Sequence, residues 1–200
     1  VFSLHILLDT YSIDNLKVRV SYGQTGNEPG ISYISLQRFG PAGNFYYNGA
    51  YTSSYGPTSN ANPDLAWEIA THLNVGVDFA FVNSRLFGSL EYFTRETKDQ
   101  LLSVNVPVPP NLVGQTLLNI GTTRNTGFEA NVNFNVSNSS NFDWTTGIVF
   151  GTSTSELMSW TKGDLSFSGG VLYRAAMGSP GQSGVSLVRV VEGETLGQIW

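Results

Sequence analysis

The chain is 200 residues long and carries 10 Lys and Arg against 15 Asp and Glu, for a formal charge of −5, with no cysteine. That balance speaks against a nucleic-acid partner, which asks for clustered basic residues, and the missing thiols exclude disulfides and Cys-based metal sites. Only 12% of residues are charged while another 12% are aromatic, a combination that fits neither a disordered chain nor an ordinary soluble surface with roughly 25% charge.

Taken from the N-terminus, the apolar run Leu4 to Leu8 is broken by His5 and is too short for a membrane helix. Residues 1–8 lack the basic start and the small-residue cleavage site of a signal peptide, so the start of an exported protein is expected to lie outside this chain. Ser12 to Asn15 reads as a turn. From Leu16 to Gly23 the apolar Leu16, Val18, Val20 and Tyr22 alternate with Lys17, Arg19, Ser21 and Gly23, the period-two pattern of a strand with one apolar face. A long connection follows, Gln24 to Ala66, with strand-like pieces at Tyr33 to Phe39 and Phe45 to Tyr51 that suggest a protruding hairpin.

Asn62-Pro63-Asp64 reads as a turn opening the strand 67–81, in which Leu73, Val75, Val77, Phe79 and Phe81 oppose Asn74, Gly76, Asp78 and Ala80. Phe81 to Arg85 is a tight turn, and 85–102 a less regular strand because Phe87 and Phe93 share the face of Glu91. Pro107, Pro109 and Pro110 interrupt any ladder between Ser103 and Asn119. Strands at 120–136 and 142–155 flank a turn at Ser137 to Asn141. The last connection, Glu156 to Thr195, is rich in Gly and Ser, and a sixth strand is expected to begin at Leu196. No stretch keeps a helical period, so the expected fold is all-β and antiparallel.

Four of these strands exceed the 9–11 residues that cross a bilayer at a barrel's tilt. Short turns alternate with long connections, as in bacterial outer-membrane barrels. Lipid forbids unpaired backbone groups, so the polar face would belong to a wet lumen of a closed barrel. Lys17, Arg19, Asp78, Glu129 and Asp143 all fall on that face, and Arg19, Glu129 and Arg95 are expected to pair with one another or with a plug. Tyr22, Trp67, Phe128, Phe142 and Trp144 fit aromatic girdles. The alternative is a soluble extracellular carbohydrate-binding β-domain, since an antiparallel sandwich also alternates. Five or six strands cannot enclose a wide pore, so residues 1–200 are expected to be part of a larger barrel domain.

The wording of the sequence supports the membrane reading. Asp14 to Asn27 (Asp-Asn-Leu-Lys-Val-Arg-Val-Ser-Tyr-Gly-Gln-Thr-Gly-Asn), Asn62-Pro63-Asp64-Leu65-Ala66-Trp67-Glu68, Asn83-Ser84-Arg85-Leu86, Thr97 to Leu102 and Arg124-Asn125-Thr126-Gly127-Phe128-Glu129 follow in an order that resembles TonB-linked outer-membrane proteins of the SusC/RagA type. Glu192 to Gly197 is similar to the segment preceding a later strand of that family. The likeness is specific over residues 14–137 and weaker at both ends. It implies a 22-stranded transmembrane β-barrel in the bacterial outer membrane. It also implies import of nutrient oligosaccharides or peptides, a SusD-like surface lipoprotein as partner, and coupling to the TonB complex through a plug that this chain does not contain.

For binding, the loop residues Tyr46, Tyr47, Tyr51 and Tyr55 stand out among Asn48, Gly49, Ser53 and Ser54, because aromatic faces stack on sugar rings while amides and hydroxyls orient them. Gly23, Gly26 and Gly76 are expected to serve turns or close strand packing. Catalysis is not expected: Ser159-Trp160-Thr161-Lys162 matches a Ser-x-x-Lys pattern without its companion motifs. His5 and His72 lack ligand spacing, and Gly178 to Gly184 lacks the lysine of a phosphate loop. Neither cofactor nor metal is expected.

Overall fold

A computed structural model describes residues 13–162, 165–166, 171–176 and 186–197. The expectations for Leu4 to Leu8, His5 and Gly178 to Gly184 lie outside the described residues. Among the described residues eleven strands occur in order: β1 (Ile13–Asn27), β2 (Phe39–Tyr47), β3 (Ala50–Pro57), β4 (Glu68–Phe81), β5 (Leu86–Asn105), β6 (Gln115–Ser139), β7 (Phe142–Ser159), β8 (Thr161–Lys162), β9 (Leu165–Ser166), β10 (Val171–Ala176) and β11 (Ser186–Val191). The long strands form one five-stranded antiparallel sheet in the order β1-β4-β5-β6-β7, and β2-β3, β8-β9 and β10-β11 are separate two-stranded ladders. The all-β expectation is met.

Several boundaries differ from the sequence reading. Ile13 to Asn15 already belong to β1, and β5 and β6 run to Asn105 and from Gln115, leaving a proline-bearing connection of residues 106–114 with cis bonds at Val108-Pro109 and Pro109-Pro110. The turn after β6 is two residues, Ser140-Asn141, not five. Its tightness follows from the Ser139 hydroxyl, which donates to the Phe142 carbonyl at 3.1 Å and accepts from the Phe142 N–H at 3.2 Å. Tyr33 to Leu36 is a turn rather than a strand, and Leu196-Gly197 also forms a turn.

The chain divides into two compact units. The first comprises Val1–Thr25, Thr71–Glu96 and Arg124–Ser155. Among its described residues there is no buried apolar core; instead Val18, Val20, Tyr22, Leu90, Tyr92, Phe134, Phe142, Trp144, Ile148 and Phe150 are exposed, Ile148 to 75%. All ten occupy the apolar side of the alternation. At the turn after β4, Val82, Asn83 and Ser84 take positive φ of 58°, 53° and 58°. Asp14 accepts the Ser84 N–H at 2.6 Å, and Arg85 donates to the carbonyls of Asn135 and Val136 at 3.4 and 3.1 Å, so the turn is tied to β1 and β6.

The second unit comprises Gly26–Ala70, Thr97–Thr123 and Glu156–Trp200 and holds the buried Ala70, Val104, Ile120, Leu157 and Trp160. Here β2 and β3 make a hairpin, as expected of this connection, with Tyr46 opposite Tyr51 and Tyr47 opposite Ala50. Asn48 and Gly49 have φ of 47° and 82°. Two positive φ values at the centre of a two-residue loop suit the right-handed twist of the flanking strands, which is why Asn-Gly serves there. The segment Glu192 to Gly197 docks on β7: Gly193 donates to the Leu157 carbonyl at 2.7 Å, Leu157 to that of Glu194 at 3.1 Å, and Glu156 bridges Thr195.

Candidate functional site

On the polar face of the first unit, period-two placement puts Arg19 of β1, Asp78 of β4 and Glu91 of β5 side by side. Arg19 donates to both Asp78 oxygens at 2.9 Å and also to Glu91, whose second oxygen faces Asn74 at 3.5 Å. One guanidinium thus spans three adjacent strands, and its fork geometry makes the Asp78 contact bidentate. Gly76 makes room for it: a Cβ there would lie 3.1 Å from the Arg19 Nη2. Arg19 thus finds its partners in Asp78 and Glu91 and not in Glu129 or Arg95, for which no ion pair is found among the described residues. The same face carries Asn133, Asn135 and Thr145, the last donating to Asn135 at 2.6 Å.

The opposite, apolar face stops at one level. Immediately beyond Tyr22, Leu73, Tyr92, Phe128 and Phe150, the next residues on that side are Gln24, Thr71, Thr94, Thr126 and Thr152. Gln24 donates to Thr71 at 3.3 Å, and the hydroxyls of Thr94 and Thr126 meet at 3.4 Å. A row of amide and hydroxyl groups therefore closes off the apolar band across all five strands.

In the second unit, Asn and Glu side chains replace missing backbone partners. Asn60 donates to the carbonyls of Val113 and Gln115 at 2.8 and 2.9 Å and accepts from the N–H groups of Leu112 and Val113 at 3.0 and 3.1 Å. Asn62 donates to Leu117 at 2.7 Å. Asn119 accepts from the Ala66 N–H and donates to the carbonyls of Ala66 and Asp99, all at 2.7–2.9 Å. Asp99 has φ 57° within β5, and Glu68 accepts the Leu101 N–H just beyond it at 3.0 Å while also holding Asn27. The Asn-Pro-Asp-Leu-x-Trp-Glu stretch is thus a set of pins fastening an irregular segment to β5 and β6, and Trp67 lies over Gly26, where a Cβ would be 3.0 Å from its ring.

The four loop tyrosines are all strongly exposed, Tyr51 to 78%, but they do not form one platform. Tyr46 and Tyr51 pair edge-to-face with ring centroids 5.3 Å apart, and alternation along β3 puts Tyr55 on their side. Tyr47 points to the other side of the hairpin with Phe45, 6.3 Å between centroids. Nothing in the spacing of these residues marked Asn60, Asn119 or Arg38, the last of which lines a cavity of about 330 Å³; isolated polar residues in a long connection carry no periodic signal.

The family model "TonB dependent receptor-like, beta-barrel" matches residues 9–184. The chain belongs to the TonB-dependent receptor-like β-barrel family. It is similar to the TonB-dependent receptor SusC of Bacteroides thetaiotaomicron, 32% identical over 138 residues that make up 64% of this chain and 13% of SusC. A TonB-dependent receptor of Formosa agariphila is 34% identical over 134 residues, again 64% of this chain and 13% of the relative. Among solved structures, the RagAB peptide transporter superposes with a TM-score of 0.65 at 21% identity, over 92% of this chain and 18% of that one. The RagAB peptide importer in its open-open state gives 0.69 at 20% identity, covering 95% and 18%. This TonB-dependent receptor segment therefore spans about an eighth of its curated relatives, and its five long strands are a stretch of barrel wall.

Proposed function

We propose that the chain is a wall segment of an outer-membrane importer for nutrient oligosaccharides or peptides, driven by the TonB complex through a plug outside this chain and capped by a SusD-like surface lipoprotein. The observation that carries the membrane part is the exposed apolar face ending on the row Gln24, Thr71, Thr94, Thr126 and Thr152. In β4 the band runs from Leu73 to Phe81, about 27 Å of strand and roughly 20 Å along the normal at a tilt of about 40°, near the ~25 Å apolar belt of outer-membrane barrels. A soluble carbohydrate-binding β-domain would need a second layer over that face; among the described residues of the first unit nothing covers it. Oligosaccharide and peptide cargo are the two chemistries, both implied by the sequence's likeness to SusC/RagA-type proteins, and the RagAB peptide transporter, whose fold this chain shares, carries the second. Within either, Tyr46, Tyr51 and Tyr55 form one stacking face of the hairpin and Tyr47 a separate contact on its other side.

Nitroxide labels at Val75, Val77 and Val132 of the full-length receptor in liposomes should be quenched by oxygen, the hydrocarbon-soluble relaxant. Labels at Asn74, Asp78 and Asn133 should respond instead to a water-soluble nickel complex. Equal accessibility of both sets would end the membrane-wall reading, as would a full-length product that stays soluble without detergent.

A further inference from the structure

Arg38 is the only Lys, Arg, Asp or Glu between Glu28 and Asp64, and it lines a cavity of about 330 Å³ together with Ile34, Thr58, Ser103, Gln115 and Thr116. That volume sits at the lower end of small-molecule pockets. Among the described residues Arg38 is the sole ionisable one in the lining, and no carboxylate pairs with it. Arg38 is exposed and among the described residues no hydrogen bond of its guanidinium is found, while its backbone is held in place: the Ser59 hydroxyl accepts the Arg38 backbone N–H at 2.9 Å and donates to Leu36 at 3.3 Å. Thr58 donates its N–H to the Arg38 carbonyl at 2.8 Å. The two walls, one bearing Thr58 and Ser59 and the other Val113 to Leu117, are pinned together by the four hydrogen bonds of Asn60, so the cavity is built before any ligand arrives.

A fixed polar cavity with one cation, no anion and several hydroxyls is suited to an oxyanion carried on a polyhydroxylated or amide-bearing molecule. We propose that this cavity is a carboxylate subsite of the receptor, with Arg38 holding the acid group of cargo and Thr58, Ser103 and Thr116 supplying hydroxyls to the remainder. The carboxylate belongs either to a uronic acid residue or to a peptide C-terminus. The proposal rests on the importer reading only in calling the ligand cargo; binding is measured apart from transport, so the two fail separately.

The test uses full-length receptor in detergent micelles and two probe pairs: tetragalacturonate against its methyl ester, and tetra-alanine against its C-terminal amide. Affinity is read by titration calorimetry in low salt and at high salt. At least one acid should bind about fivefold or more tighter than its neutral counterpart, with the margin shrinking as salt screens it. R38Q should abolish that margin and R38K should keep part of it, because a point charge survives while the fork is lost. A preference in the saccharide pair alone assigns the site to uronates, in the peptide pair alone to peptide termini, and in both to carboxylates in general. If neither acid binds better than its neutral counterpart, or if R38Q retains the margin, the subsite is refuted. A retained heat-induced gel shift in R38Q, the mark of a folded barrel, separates loss of binding from loss of fold.

Discussion

Replacing Asn60 by Ala removes four hydrogen bonds at once, two donated to Val113 and Gln115 and two accepted from Leu112 and Val113. The contacts donated to the Val113 carbonyl and accepted from the Val113 N–H are half-buried, whereas those to Leu112 and Gln115 are exposed and can be replaced by water. Counting about 1 kcal/mol for each half-buried bond, and little for the others, gives a local cost of about 2 kcal/mol. At 1.4 kcal/mol per factor of ten, the connection after β5 should open roughly thirtyfold more often. Hydrogen–deuterium exchange of the full-length protein in detergent reads this directly, since the amides of Leu112 and Val113 depend on the Asn60 carbonyl oxygen. N60D sharpens the test. Its carboxylate still accepts from both amides but faces the carbonyls of Val113 and Gln115 without a proton to offer, so exchange should again rise even though the side-chain size is unchanged. Unaltered exchange at 112 and 113 in N60A, or N60D behaving as wild type, would refute the pinning role.

Two further outcomes follow from backbone packing. A Cβ at Gly127 would run into the Phe93 ring and lie 2.7 Å from the Thr152 carbonyl oxygen, so G127A should destabilise the barrel by about 1–3 kcal/mol. Adding F93A should recover only part of the loss in urea unfolding from liposomes, because the Thr152 contact is backbone; full recovery would place the clash elsewhere. Asp99 takes φ 57°, a conformation that Asp and Gly tolerate and β-branched residues do not. D99G should therefore leave stability nearly unchanged, while D99V should cost about 1–3 kcal/mol by the same unfolding assay; equal effects of the two would mean that the conformation is not constrained.

Side-chain alternation is a property of any extended chain, and this is why the sequence alone determined the five long strands, their two faces and the side on which Arg19, Asp78 and Glu129 lie, though not the short ladders of residues 161–191. Turns were legible where local chemistry decides them, as at Phe81 to Arg85, and legible in place but not in length where a hydroxyl tightened the loop, as Ser139 does after β6. The Asn48-Gly49 pair carried its own signal, but aromatic residues on both sides of it read as one continuous piece from Phe45 to Tyr51, hiding the reversal that sets Tyr47 apart from Tyr46 and Tyr51. Only tertiary structure decided that Arg19 joins Asp78 and Glu91, that Asn60 and Asn119 stand in for absent backbone partners, and that Arg38 faces a cavity. These depend on which strands and segments become neighbours, and a contact spanning 59 or 72 positions leaves no trace in a pattern whose period is two.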